Sequence, residues 1–303
     1  MSVFPSKSVL KSISYNLLFI TQFICCGGYI TEAPEKTDED FTKREYEYFI
    51  PSTNSQNNPS PVIFVFHGFQ SSAWSMRYAT QFDEYAEENN LIIIYPIGVS
   101  GYWNCYDPCS TLDDENYDDR GYFDFPNYDD IGFVEYLLEK FNSEYFIDNS
   151  KIYATGFSLG ARFLMTLALE RSNIFAAIAP VGGSMTVPAV SKFNGAERIP
   201  IMILFGTLDE WEGFGSGDCE RLAIPDLVSY WISHNGCEQT PLVEHLPDTG
   251  EDYIHVIRET YIGSTGYAET IFIKVEGGIH EWFMFDEFNA TETIIEFFLR
   301  HSL

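Results

Sequence analysis

The stretch Ile152-Tyr153-Ala154-Thr155-Gly156-Phe157-Ser158-Leu159-Gly160 sets a short apolar run against an amphipathic segment, Ala161–Arg171, with a serine flanked by glycines two places to either side. The apolar run has the length of a buried strand, and the following segment has helical spacing. A tight strand-to-helix turn forces its central residue into a strained backbone. Glycines at minus two and plus two remove the side chains that would collide there. The helix start then favours any negative charge that forms at Ser158.

Outward from this turn the same alternation repeats. Val62-Ile63-Phe64-Val65-Phe66, Leu91–Tyr95, Ala176–Ala179, Ile201–Phe205 and Ile271–Val275 are continuous apolar runs without polar alternation. Strands covered on both faces read this way. Helices are predicted between them at 75–89, 129–142, 159–171, 222–235 and 290–301. The class is therefore α/β, with a mostly parallel central sheet and helices on both faces.

Lys7 and Lys11 precede an apolar stretch over 15–26 that ends in Gly27-Gly28, so residues 1–28 are read as a signal peptide. Residues 29–60 are read as a mobile N-terminal segment, polar over 31–45, and a first strand. Residues 61–303 are read as one catalytic domain with no long internal linker. The 101–128 segment looks like an inserted acidic loop, and its carboxylate spacing fits no EF-hand. The four cysteines beyond the signal peptide, Cys105, Cys109, Cys219 and Cys237, suggest two disulfides in an exported chain. Of three connectivities, the local pairs Cys105–Cys109 and Cys219–Cys237 are the simplest. Asn289-Ala290-Thr291 is an N-glycosylation sequon.

A net charge of −28 on 303 residues argues against nucleic acid and anionic membrane surfaces as partners, since both would be repelled. It is compatible with a neutral ester or polysaccharide substrate.

A serine hydroxyl needs a base to become a nucleophile. Among the six histidines, His280 follows the last strand through the Gly277-Gly278 turn. Asp209 follows the strand Ile201–Phe205 in Gly206-Thr207-Leu208-Asp209, with Glu210, Glu212 and Asp218 as rivals for the acid. The order Ser158, Asp209, His280 suits a hydrolase triad. Two backbone donors are expected for an oxyanion: the N–H of Leu159, and the N–H of Phe69 in His67-Gly68-Phe69-Gln70, with Gln70 as the alternative.

With these residues assembled, the chain resembles the polyhydroxybutyrate depolymerase and feruloyl esterase-like group, similar to carbohydrate esterase family 1 among the α/β-hydrolases. The resemblance rests on His67-Gly68-Phe69, Tyr95-Pro96, Trp103-Asn104, Asp129–Phe133, Thr155–Gly160, Phe205–Asp209 and Gly277–Trp282, in the family's order. It implies a secreted esterase acting on plant cell-wall polysaccharide esters or short hydroxyalkanoate polymers, without metal or organic cofactor. It also implies Ser158, Asp209 and His280 as triad, and Trp103 and Trp282 as substrate-side residues. Phe205, where the family often has histidine, Glu281 after the histidine, and the acidic loop 110–128 depart from the pattern. Trp74, Trp103, Tyr106, Trp211, Phe214 and Trp282 are candidates to stack on a phenolic acyl group or a sugar ring. The alternatives are a serine peptidase of the same fold and a non-catalytic hydrolase-fold binding protein; an intact triad argues against the second.

Overall fold

A computed structural model describes residues 39–105, 128–192, 196–212, 221–247, 253–263 and 268–303. The strands are β1 (Tyr46–Phe49), β2 (Ser60–Phe66), β3 (Ile92–Pro96), β4 (Ile147–Phe157), β5 (Ala177–Val181), β6 (Ile201–Gly206), β7 (Leu242–His245), β8 (His255–Tyr261) and β9 (Thr270–Glu276). They make one sheet in the order β1-β3-β2-β4-β5-β6-β9-β8-β7. From β3 to β9 all pairings are parallel. β1 at one edge, and β8 and β7 at the other, run antiparallel.

The helices are α1 (Ala73–Thr80), α2 (Phe82–Ala86), α3 (Asp130–Glu144), α4 (Leu159–Glu170), α5 (Val187–Lys192), α6 (Ile224–Asn235) and α7 (Ala290–Leu299). One core layer joins α3, α4 and α6 to Val62, Phe64, Phe66, Ile203 and Phe205. The other joins α1, α2 and α7 to Ile63, Val65, Met202 and Leu204. Alternate residues of each central strand are thus buried on opposite faces, which explains the unbroken apolar runs.

Register brings the site together. Phe66 pairs with Gly156, Phe157 with Val181, and Gly206 with Val275. The C-terminal ends of β2, β4, β5, β6 and β9 therefore share one rim, where parallel α/β sheets place their ligands.

Several expectations change. The helix expected at 75–89 is two helices, because Gln81 between them takes a left-handed backbone with φ 54°. The antiparallel strands β7 and β8 were not anticipated; β7 is exposed throughout and carries no burial pattern to read. Within the segment read as mobile, the Arg44 side chain is buried and bridges Asp130 at 2.7 Å and Glu39 at 3.1 Å. The expected Cys219–Cys237 disulfide is not formed: Cys237 is a buried free thiol whose Sγ donates to the Ala268 carbonyl at 3.3 Å. In the sequon, Asn289 caps α7 by accepting from the Glu292 N–H at 3.1 Å, while Thr291 is fully buried and donates to the Thr80 carbonyl. Those side chains are committed to packing. The signal peptide, Cys109, Tyr106, Phe214, Asp218, Cys219 and most of the acidic loop lie outside the described residues.

Candidate active site

Ser158 sits between β4 and α4 with φ 54° and ψ −117°, a strained backbone for a residue with a side chain. Such a conformation costs about 1–3 kcal/mol and persists only where its surroundings enforce it. Close packing of the turn against β2 enforces it here. A Cβ at Gly160 would fall 2.3 Å from the Phe66 carbonyl oxygen, and one at Gly156 would fall 2.7 Å from Gly160. Both glycines are needed for steric reasons, as the motif anticipated.

The acid and base loops are laced together along their backbones. Thr207 N–H donates to the Val275 carbonyl and Leu208 N–H to the Gly278 carbonyl, each at 2.9 Å. Gly277 N–H donates to Thr207 Oγ1 at 3.0 Å, and Gly277 adopts φ 80° to make the turn. This brings His280 Nδ1 to 2.7 Å from Asp209 Oδ2. Asp209 is buried, and its other oxygen accepts from the N–H groups of Trp211 and Glu212 at 3.0 Å each. With a carboxylate as acceptor, Nδ1 carries the proton and Nε2 presents its lone pair.

The His280 ring lies beside the serine turn. Its centroid is 4.7 Å from that of Phe157, and a Cβ at Gly182 would stand 3.6 Å from His280 Cε1. Among the described residues, neither the Ser158 hydroxyl nor His280 Nε2 is engaged in a hydrogen bond.

The loop after β2 faces the same serine: a Cβ at Gly68 would lie 3.4 Å from Ser158 Cβ. Gln70 N–H is used by the Gly101 carbonyl at 2.9 Å, which removes the alternative oxyanion donor. The N–H groups of Phe69 and Leu159 have no acceptor among the described residues. Burial lowers the pKa of His67, whose Nδ1–H donates to the Gly68 carbonyl at 2.8 Å and whose Nε2 accepts from Gly98 N–H at 2.9 Å. A neutral imidazole thus pins the loop at both ring nitrogens.

Trp103 and Trp282, expected as substrate-side residues, are both buried. Trp103 is buried, donates its indole N–H to the His67 carbonyl at 2.9 Å, and stacks on Phe163. Trp282 is buried, donates to Thr291 Oγ1 at 3.0 Å and packs against Phe82. Both are scaffold. Trp103 is held in turn by its neighbour, since Asn104 N–H donates to Asp130 Oδ2 at 2.7 Å. Burial pushes the Asp130 carboxyl up to about 6, against the opposing pull of Arg44.

The loops at this rim carry exposed apolar side chains: Trp211, 77% exposed with its ring centroid 6.5 Å from that of His280, together with Phe69, Leu208 and Ile279. Glu212, a rival for the acid, is buried and pairs with Arg162 at 2.6 Å and Arg221 at 3.3 Å. That ties the acid loop to α4. Arg162 was missed, although it is the only charge between Leu159 and Leu169.

A mostly parallel sheet between two helical layers is the α/β-hydrolase fold, and a strained serine at a strand-to-helix turn shares one rim of it with a histidine and a carboxylate on later loops. Residues 42–187 match the model of an esterase family described as "Putative esterase". The chain is 26% identical over 181 residues to the bifunctional acetylxylan esterase/xylanase XynS20E of Neocallimastix patriciarum, covering 58% of this chain and 23% of that protein. It is 29% identical over 161 residues to feruloyl esterase B of Thermothelomyces thermophilus, covering 52% of this chain and 50% of that protein. The chain thus spans half or less of the length of these two relatives. Among solved structures, an acetyl xylan esterase from Aspergillus awamori superposes with a TM-score of 0.58 at 17% identity, covering 86% of this chain and 96% of that one. The fold is shared, and the chain is similar to feruloyl and acetylxylan esterases, the resemblance that its motifs implied.

Proposed function

We propose that this chain is a carboxylic ester hydrolase that works through an acyl-enzyme on Ser158, exported from the cell to act on feruloyl or acetyl esters of plant polysaccharide. Ser158 Oγ attacks the ester carbonyl as its proton passes to His280 Nε2. Asp209 holds the Nδ1–H and stabilises the imidazolium. The negative charge on the former carbonyl oxygen is received by the N–H groups of Leu159 and Phe69. Collapse of the tetrahedral intermediate expels the alcohol, which takes the proton back from His280. Water then repeats the sequence on the acyl-enzyme, releasing the acid and restoring Ser158.

The observation that carries this reading is the 2.7 Å contact between His280 and an Asp209 carboxylate already oriented by two backbone donors. The exposed ring of Trp211 beside His280 supports an aromatic acyl group, because a planar acyl chain gains a stacking partner there. The esterase activities named for the relatives agree with it.

The test is turnover of p-nitrophenyl acetate, methyl ferulate, a hydroxybutyrate oligomer and a peptide amide by the protein and by Ser158→Ala. Ester turnover that vanishes in the variant supports the proposal. Preference for the amide would make the chain a peptidase, and silence on every substrate would make it a binding protein.

A further inference from the structure

Trp74 and Tyr78 lie one turn apart on α1, with ring planes 9° from parallel and centroids 5.6 Å apart. They are 65% and 73% exposed, among the largest apolar groups on the surface. Neither ring is used by the catalytic geometry, and leaving two large rings in water is unfavourable unless something covers them. The stack holds each ring in one orientation, so little rotamer freedom is lost when a ligand settles on the outer face. Ser72 caps the helix by accepting from Ser75 N–H at 3.2 Å, which fixes the start of the same turn.

The surroundings identify the ligand's chemistry. Gln70 and Gln81 flank α1 in the sequence and are exposed, and Ser71 and Ser75, near Trp74 in the sequence, are half-buried. These are amide and hydroxyl groups that exchange hydrogen bonds with hydroxyls. The only charged residue of α1 is Arg77, and it is neutralised by Asp83 at 2.5 Å and Glu47 at 3.2 Å. An anionic polymer would find no free cation on α1 and a net charge of −28 opposing it. A neutral sugar chain, with apolar ring faces and hydroxyl edges, fits both the rings and the amides.

We propose that the Trp74–Tyr78 face of α1 is a binding site for a neutral polysaccharide, separate from the catalytic centre, that holds the polymer while an ester side group is cleaved. Trp74 is five residues from Phe69, so it lies within about 18 Å of the oxyanion loop even for an extended chain. The polymer would leave the rings and reach Ser158 within a few sugar units. This inference rests on the reading of the natural substrate as a polysaccharide ester.

The test uses the full chain with Ser158→Ala, so that binding is measured without turnover. Depletion onto insoluble neutral arabinoxylan is compared with and without Trp74→Ala/Tyr78→Ala, and with Trp74→Phe/Tyr78→Phe. The alanine pair is expected to weaken retention roughly 5-fold or more, and the phenylalanine pair to keep most of it. In the active protein the alanine pair is expected to leave thermal unfolding and p-nitrophenyl acetate turnover unchanged. Equal retention of the alanine pair would overturn the proposal, and so would a matching loss of small-ester turnover. If retention behaves as expected while no ester is hydrolysed, the binding face stands and the catalytic reading falls.

Discussion

His280 and Asp209 are joined by a single hydrogen bond of 2.7 Å whose acceptor is itself held in place: the second carboxylate oxygen receives the N–H groups of Trp211 and Glu212. The Asp209 carboxylate is therefore oriented by its own loop. In the proposed mechanism that orientation fixes which imidazole nitrogen carries the proton, and so which one would take a proton from Ser158.

Asp209→Asn preserves the shape of the loop but can present an amide N–H to Nδ1. The imidazole then favours the tautomer protonated on Nε2, which cannot accept from Ser158. We expect kcat on p-nitrophenyl acetate to fall roughly 1,000- to 10,000-fold with KM little changed. Steady-state kinetics on the purified variant measure this directly.

The buried bridge from Arg162 to Glu212 makes a second prediction. Glu212→Gln removes the charge of a buried carboxylate that Arg162 and Arg221 both contact. Breaking a buried ion pair by removing one of its charges costs about 3–5 kcal/mol. Arg162→Met is expected to cost less, because Glu212 keeps Arg221. Adding Arg162→Met to Glu212→Gln is expected to restore part of the loss, as read by urea unfolding.

His67 gives a pH dependence. Burial lowers its folded pKa below the usual histidine value, so the unfolded chain binds the extra proton first. The stability this contributes is fully present above about 6.5 and is lost as pH falls from there towards the lowered folded value. His67→Gln keeps an acceptor for Gly98 N–H and does not titrate. The difference in unfolding free energy between protein and variant is expected to shrink as pH falls from 7.5 to 5.5. His234, also lowered by burial, titrates equally in both and cancels.

Trp211 is exposed and its side chain supports no core packing, so Trp211→Ala is expected to fold normally. Its backbone N–H to Asp209 is retained. KM for methyl ferulate is expected to rise roughly 2- to 10-fold, the worth of one aromatic contact, with p-nitrophenyl acetate unaffected.

The placement of the candidate residues at one rim was legible before any coordinates. In a parallel sheet the C-terminal strand ends share one rim, so a serine after one apolar run, an acid after a later one and a histidine after the last are brought together by chain order alone. Steric need made the glycines at 156 and 160 readable, and the close approaches at both positions show why. Side-chain direction was less accessible. Trp103 and Trp282 occupy the right loops, yet each turns inward, because an indole N–H near a free carbonyl or hydroxyl is better satisfied there than in a wet cleft. Arg162 left a signal, a lone cation in an otherwise uncharged helix face, but its partner lies 50 residues away and nothing local names it. The edge strand β7 left none, since Leu242-Val243-Glu244-His245 is exposed on every residue and lacks the alternation that burial imposes.

Labelling with a fluorophosphonate, followed by peptide mass analysis, tests the central claim most directly, because only an activated serine is phosphonylated at neutral pH. We expect one label per chain, on the peptide containing Ser158, abolished in Ser158→Ala and strongly slowed in His280→Ala. Ester turnover by the unmodified protein with no label, or with the label on a different residue, would contradict the account.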